Sequence, residues 1–229
     1  MKFKITKLIQ QTHDVKSFWL NPAKGKVFDF KPGHFVNVTA NINDETVKRA
    51  YSISSDPDRK YIEITVKEVP KGKMSSYLMT LKEGDELELN GPYGDFVYEN
   101  QDKVILIGGG CAVAPLMSLF RYINKHNKKA QVVFIISART EEDFIFEKEI
   151  KEISNDNSNL HYFITFTRTG ETCADGFSGR LDLDKMLKMV QNFKDYHYFI
   201  SGSGMFASVI KDIMLSQGVD KNKVKIEAY

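Results

Sequence analysis

The amino-acid sequence predicts two domains: an antiparallel six-stranded β-domain over residues 1–100 and an α/β domain with a five-stranded parallel sheet over residues 101–229. Three observations predict this. The first hundred residues carry six short, partly alternating apolar runs broken by turn residues, the pattern of an antiparallel barrel or sandwich. From about residue 101, apolar runs alternate with stretches of helical spacing, as in a parallel sheet flanked by helices. Residues 104–122, VILIGGGCAVAPLMSLFRY, read as a strand, a tight turn and a helix. Val104, Ile105, Leu106 and Ile107 are unbroken, as expected of a strand buried on both faces. Leu116, Leu119, Phe120 and Ile123 recur at i, i+3, i+4 and i+7, one apolar helical stripe.

In the first half the strands fall at 2–12, 15–21, 34–40, 48–53, 60–67 and 85–90. Between them lie the turn signals Asn21-Pro22, Lys31-Pro32-Gly33, Asn43-Asp44, Asp56-Pro57-Asp58 and Glu83-Gly84-Asp85. Residues 75–81 interrupt this pattern with helical character, Ser75 or Ser76 serving as N-cap. Gly72, Lys73, Met74, Ser75 and Ser76 therefore sit at a helix N-terminus, where free N–H groups and a lysine suit a phosphate. In the second half, strands fall at 104–107, 131–137, 160–166, 196–201 and 224–226, and helices at 113–126, 141–153, 183–190 and 205–217. Ligands of such sheets bind beyond the carboxyl ends of the strands.

Composition narrows the function. A formal charge of only +2, from 32 basic and 30 acidic residues, argues against a nucleic-acid binder. No apolar run approaches membrane-spanning length, and the N-terminus alternates like a strand rather than a signal peptide, so a cytoplasmic location is expected. Two cysteines, Cys111 and Cys173, cannot make a disulfide framework, a zinc site or an iron-sulfur cluster. His13, His126, His161 and His197 have no ligand-like spacing, so no metal is expected. The glycine triplet 108–110 matches neither standard phosphate motif: a dinucleotide fingerprint needs glycine at Val113, and a P-loop needs Gly-Lys-Ser/Thr. The basic run at 125–129 joins a helix to the next strand at the amino edge of the sheet and is expected to be a solvated loop.

Four ordered segments carry more information than any one of them. Arg49-Ala50-Tyr51-Ser52 ends a strand, Thr65-Val66-Lys67 ends another, residues 72–76 open a helix, and Gly91-Pro92-Tyr93-Gly94-Asp95-Phe96 follows. This order resembles the FAD domain of the ferredoxin-NADP reductase superfamily, and Phe30-Lys31-Pro32-Gly33-His34-Phe35 is similar to that family's Phe-x-Pro-Gly-Gln-Phe turn. The resemblance implies a six-stranded antiparallel barrel that binds FAD. It implies that Arg49 pairs with the FAD diphosphate, Tyr51 stacks on the flavin ring, and Ser52 lies within reach of flavin N5. Backbone at Ala50 and at Thr65, Val66 and Lys67, with Gly72, Lys73, Met74, Ser75 and Ser76, would hold the ribityl and phosphate groups.

The second half resembles the same family's nucleotide domain. Gly109-Gly110-Cys111-Ala112-Val113-Ala114-Pro115 is similar to its Gly-Gly-Thr-Gly-Ile-Ala-Pro turn, departing at Cys111 and Ala112. The resemblance assigns Gly110, Cys111, Ala112 and Pro115 to the nicotinamide side, and Arg139, Thr167, Arg168 and Arg180 to the rest of the dinucleotide. A hydroxyl followed by arginine at 167–168 is similar to the pair that grips a 2′-phosphate, favouring NADPH with NADH possible. Ser201, Gly202 and Met205 stand where the family has Cys-Gly-Pro, and Glu227-Ala228-Tyr229 is like its Glu-x-Tyr terminus. Ser52, Ser201, Glu227 and Tyr229 are thereby implied to surround the hydride path, with the Tyr229 ring on the flavin face. The implied activity is FAD-dependent NAD(P)H oxidation, with electrons passed to ferredoxin or flavodoxin. A free-flavin reductase and an electron-transfer subunit of a larger complex are the competing readings. Cys111, at a helix N-terminus beside a ligand pocket, is either a reactive thiol or a small buried apolar residue.

Overall fold

A computed structural model describes residues 1–168 and 176–229. Six strands build the first domain: β1 (Lys2–Thr12), β2 (Val15–Pro22), β3 (Phe35–Ile42), β4 (Glu45–Ser52), β5 (Ile62–Lys67) and β6 (Glu86–Tyr93). Their order is β4-β3-β6-β1-β2-β5, and an Ile53–Ile64 bridge links the two ends, closing the barrel. Phe3 and Ile5, Phe18 and Leu20, Val36 and Val38, and Leu87 and Leu89 alternate inward and form its core. A helix, α1 (Lys73–Thr80), packs Met74 and Leu78 into that core.

The α1 cap differs from expectation. Gly72 occupies the N-cap position, not Ser75 or Ser76. Ser75 lies inside the first turn, where its hydroxyl accepts from Val69 N–H at 3.2 Å and bonds the Gly72 carbonyl at 3.3 Å. The serine thus ties the loop to the helix from within.

The second domain holds β7 (Lys103–Gly109), α2 (Val113–His126), β8 (Gln131–Ala138), α3 (Glu147–Asp156), β9 (Leu160–Phe166), β10 (Phe177–Ser178), α4 (Leu183–Met189), β11 (His197–Gly202), α5 (Gly204–Ser216) and β12 (Val224–Ala228). The sheet order is β10-β9-β8-β7-β11-β12, and all pairings are parallel. Leu106, Phe134, Ile164 and Phe199 pack against α2 and α3, whereas Ile105, Ile107, Ile135 and Ile200 pack against α4 and α5. This explains the unbroken apolar runs: neighbouring residues serve opposite layers.

Two expectations are corrected here. The sheet has six strands, not five, because β10 is a two-residue strand pairing Phe177 with Thr165 and Ser178 with Phe166. Such a run is too short to show periodicity. The helix expected over 141–153 begins only at Glu147. Residues Glu141–Asp143 form one 3₁₀ turn, and the chain then leaves helical geometry to bury Phe144, Ile145 and Phe146, the last in the left-handed region at φ 59°.

The domains meet along a polar seam. Arg121 on α2 sends Nη1 to Glu63 Oε2 at 2.6 Å and to the Ser54 carbonyl at 2.7 Å, both on the barrel side. Its Nε and Nη2 grip both oxygens of Glu149 on α3, at 2.8 and 2.6 Å. Ser118 adds a bond to the Ser55 carbonyl at 2.7 Å. The basic run also contributes here, contrary to a wholly solvated loop: Lys125 pairs with Asp56 and Asp58, and His126 with Asp58. At Gly33, with φ 100°, a β-carbon would lie 1.8 Å from the Phe96 carbonyl, so only glycine lets this turn reach the connector between domains.

Glu63 is 1% exposed and Arg121 12%, so removing the guanidinium leaves a buried carboxylate without its counter-charge. Breaking such a pair costs about 3–5 kcal/mol. Arg121→Leu is therefore expected to lower unfolding free energy by that amount in urea titration, against well under 1 kcal/mol for an exposed pair such as Lys2–Glu86. A loss no larger than that of the exposed pair would contradict the clamp.

Candidate active site

The carboxyl ends of β7, β8, β9 and β11 face the barrel where β4 and β5 end, and two adjoining cavities lie there. The first, about 290 Å³, is lined by Ala50, Tyr51 and Ser52 from β4, Thr65 and Lys67 from β5, Cys111, Ala112 and Ala114 from the turn into α2, Gly202 and Ser203 after β11, and Tyr229. The second, about 320 Å³, shares Lys67, Cys111 and Ser203 and extends over Gly109, Gly110, Ser137, Arg139 and Thr167. At Gly110 the chain turns with φ 56° and the space beside it is open, as a ligand approaching the backbone requires.

The C-terminus bridges the domains. Tyr229 follows β12, the edge strand paired with β11, and its N–H donates to the Gly202 carbonyl at 3.1 Å. Its hydroxyl lies 2.6 Å from Ser52 Oγ, a hydrogen bond spanning 177 positions of sequence. Tyr229 as a residue is 62% exposed, but its hydroxyl end is enclosed against Ser52, and that local burial holds the phenol above the usual tyrosine range; burial pushes Tyr51 up to about 12. Ser201 is fully buried, its hydroxyl turned toward Tyr229 but without a hydrogen-bond partner. Glu227 is the register partner of Ser201, and burial raises its carboxyl to about 7. Lys225, two residues before Glu227 on the same strand, anchors it to the connector between the domains, reaching Glu99 at 2.8 Å and the Val97 carbonyl at 2.9 Å.

The remaining sequence-derived residues divide into those gathered here and those outside the two cavities. Thr167 and Arg168 run beside Ala138 and Arg139, tied by backbone bonds of 2.9 and 2.8 Å, so Arg139 and Arg168 emerge at neighbouring strand ends. Arg49 is exposed on β4, its Nη1 bonded to the adjacent Lys48 carbonyl. Gly72, Lys73 and Ser76 lie at the start of α1, and Lys73 pairs with Glu45. Val66 and Met74 turn their side chains into the barrel core, and Pro115 is buried in the first turn of α2. Met205 is 79% exposed and Arg180 is exposed beyond β10; neither lines the cavities. Cys173 lies outside the described residues.

Sequence reading missed Asp14, Asp143, Ser203 and Phe206, all of which line the second cavity. Asp14, in the β1–β2 turn, holds Lys67 at 2.7 Å, and this pairing depresses its carboxyl below the usual range despite burial. A hairpin turn folding back over the cleft leaves no local pattern to find. Phe206 does leave a trace. It sits one residue after Met205, and a β-carbon at Gly202 would fall 2.5 Å from its ring.

The chemistry of these linings fits a flavin and a dinucleotide: two tyrosines and a serine hydroxyl face a mainly apolar cavity, and exposed arginines stand where strand ends open to solvent. Comparison with known proteins agrees. The Oxidoreductase FAD-binding domain family matches residues 2–98, and the Oxidoreductase NAD-binding domain family matches residues 106–212. The chain belongs to the ferredoxin-NADP reductase superfamily. Its barrel is an FAD-binding domain and its α/β layer an NAD-binding domain. It is 35% identical over 229 residues to the glycine betaine monooxygenase reductase subunit of Pseudomonas aeruginosa, a match covering 97% of this chain and 62% of that protein. It is 27% identical over 237 residues to the flavohemoprotein of Oceanobacillus iheyensis, covering 99% of this chain and 58% of that one. The chain thus spans about three-fifths of these curated relatives. The fold matches the FAD/NAD binding domain of nitric oxide dioxygenase from Vibrio cholerae at TM-score 0.93 and 23% identity, over 100% of this chain and 98% of that one. A ferredoxin NADP+ reductase from Neisseria gonorrhoeae with bound FAD and NADP matches at TM-score 0.86 and 18% identity, over 100% and 98%.

Two predictions follow from the electrostatics of this reductase-superfamily site. Cys111 is only half-buried and lines both cavities, but its sulfur is turned inward: the thiol donates to the Thr65 carbonyl at 3.4 Å, and burial around it pushes it up to about 12. That favours the buried apolar reading over the reactive one. With its thiol raised well above the usual range, little of Cys111 is ionised at pH 8, so alkylation followed by peptide mass spectrometry should find it much slower in folded than in unfolded protein. Equal rates would contradict the burial. Glu227 gives a pH signature. Its carboxyl is protonated in both states below about 4.5, and between 4.5 and about 7 only the unfolded chain ionises it, so its contribution to stability falls across that interval and is level above. Glu227→Gln should therefore gain on wild type as pH rises from 4.5 to 7 in thermal melts, whereas a constant offset would place Glu227 in solvent.

Proposed function

We propose that this chain is an FAD-dependent NAD(P)H oxidoreductase that moves a hydride between the nicotinamide and the flavin and passes electrons on to a protein acceptor. The hydrogen bond between Tyr229 and Ser52 carries this reading, because it draws the C-terminus of the NAD-binding domain onto the strand end of the FAD-binding domain at one cavity. The division between the domains falls at residue 100, in the segment joining β6 to β7. Bound FAD supplies a carrier that takes two electrons as hydride and releases them to a partner.

The chain's own residues bind, orient and exclude water. Arg49, Lys73 and the N–H groups opening α1 hold the FAD diphosphate, with Ala50, Thr65, Val66, Lys67, Gly72, Met74, Ser75 and Ser76 shaping that surface. Tyr51 and Ser52 face the flavin ring. The turn at Gly110, Cys111, Ala112 and Pro115 receives the nicotinamide half of the dinucleotide, and Ser201, Gly202 and Met205 flank it. Arg139, Thr167, Arg168 and Arg180 serve the adenosine half, with NADPH preferred over NADH. Glu227 holds a proton at its carboxyl near neutral pH, beside Ser201 and Tyr229. Hydride transfer needs donor and acceptor about 3–3.5 Å apart with planes aligned. Tyr229 lines the cavity proposed for the nicotinamide, so its ring would have to move aside on each turnover.

The acceptor is a redox protein, either a small carrier such as ferredoxin or flavodoxin or an oxygenase component. The Pseudomonas aeruginosa relative, a glycine betaine monooxygenase reductase subunit, supports this class. Action in the cytoplasm is part of the same proposal; among the described residues, no helix is long and apolar enough to cross a membrane.

Tyr229→Ser should bind NADP+ several-fold tighter in equilibrium titration, since offset aromatic packing is worth roughly 0.5–1.5 kcal/mol beyond area burial. Unchanged affinity would remove the tyrosine from the nicotinamide path. Arg168→Ala should raise KM for NADPH at least tenfold while leaving that for NADH within twofold. A parallel loss for both would make Arg168 structural. Oxidation of NADPH by ferricyanide, with FAD retained through gel filtration, tests the function as a whole; absence of either sinks it.

A further inference from the structure

Away from that site, one groove holds buried polar atoms that nothing among the described residues satisfies. It measures about 630 Å³ and runs between the outer wall of the barrel and the start of α3. The barrel wall is a cross-strand row: Lys7 on β1 is the register partner of Trp19 on β2, and Trp19 is the partner of Glu63 on β5. Directly opposed residues project from the same face, so ammonium, indole and carboxylate lie side by side. Lys7 Nζ sits 4.5 Å from the Trp19 ring centre, and Tyr61 stacks on the same indole at 4.1 Å. Phe146 and Glu149 form the opposite wall, and Arg121 lies between.

Glu63 Oε1 and Trp19 Nε1 are both buried here without a hydrogen-bond partner. The Glu63 side chain is 1% exposed, and only its other oxygen meets Arg121. An ionised carboxylate can only accept, so whatever completes Oε1 must donate; an indole N–H can only donate, so an acceptor must stand near it. Charge selects the donor. Glu63 and Glu149 share the one guanidinium of Arg121, so the carboxylate whose second oxygen is bare has only a shared counter-charge. Along α3, Glu147 and Glu152 are matched by Lys151 and Lys148, and Lys7 lies over the indole rather than against a carboxylate. A cationic N–H donor makes the stronger, charge-assisted bond to Oε1.

We propose that this groove binds a small organic cation bearing an ammonium or guanidinium group a few atoms from a carbonyl or hydroxyl oxygen, the cation on Glu63 Oε1 and the oxygen on Trp19 Nε1. The walls come from both domains, so occupancy braces the seam. A concave site with aromatic walls and a few convergent polar atoms is the usual form of a small-molecule pocket.

Trp19 is the chain's single tryptophan, so its emission reports this groove alone. L-Argininamide titrated into the FAD-loaded protein should change that emission saturably, whereas butyramide, with the oxygen and no cation, should leave it unchanged over the same range. Glu63→Gln keeps an oxygen on Arg121 and turns an amide N–H toward the groove, and should weaken argininamide binding at least tenfold. Should that variant not fold, Trp19→Phe measured by calorimetry takes its place, with binding at least threefold weaker expected. No saturable change, an equal response to butyramide, or unchanged affinity in the variant would overturn the proposal and leave a bridging water as the sole occupant.

Discussion

The guanidinium of Arg121 fixes how the two domains face each other, and the active-site geometry depends on it. Its planar fork is bidentate to Glu149 within its own domain and reaches across to Glu63 and the Ser54 carbonyl on the barrel. A lysine could carry the charge but not that directional set. Buried charge is costly to assemble, so such a clamp contributes orientation more than net stability. That orientation sets the distance over which the last residue of the chain must reach a strand end in the other domain. Ser118 to Ser55 and Cys111 to Thr65 repeat the connection nearer the cavity.

Within the cavity, burial rather than fixed charge sets the chemistry. Tyr51, Tyr229 and Cys111 are all pushed toward their neutral forms, and Glu227 is raised into the neutral pH range. Charged side chains stand at the rim: Lys67 is held by Asp14, and Arg139 and Arg168 emerge at strand ends. A dry centre with a basic rim suits a ligand whose reacting ring is neutral and whose phosphates are not.

The sequence revealed those parts of this architecture that depend on local spacing. Unbroken runs at 104–107 and 131–137 mark strands buried on both faces, and the ordered segments around Arg49, Gly72 and Gly110 mark the turns proposed to meet the cofactors. Tertiary contacts are absent from such patterns. The two residues of β10 carry no period, and Gly72 displaces Ser75 as the α1 cap because the serine hydroxyl is taken up by the loop before it. Phe144 to Phe146 turn inward where helical spacing alone would continue α3. Lys125 and His126 look like a solvated basic run until the barrel's Asp56 and Asp58 are brought against them. Glu63 and Arg121 are 58 positions apart, and no spacing rule joins them.

The central claim is that the meeting of β4, β5 and the C-terminus forms a hydride-transfer site. Mixing the FAD-loaded protein with one equivalent of NADPH under anaerobic conditions, and following flavin absorbance, tests it most directly. The account predicts bleaching of the oxidised flavin band with near-stoichiometric oxidation of the nicotinamide. A flavin that stays oxidised under excess NADPH and NADH alike would contradict it.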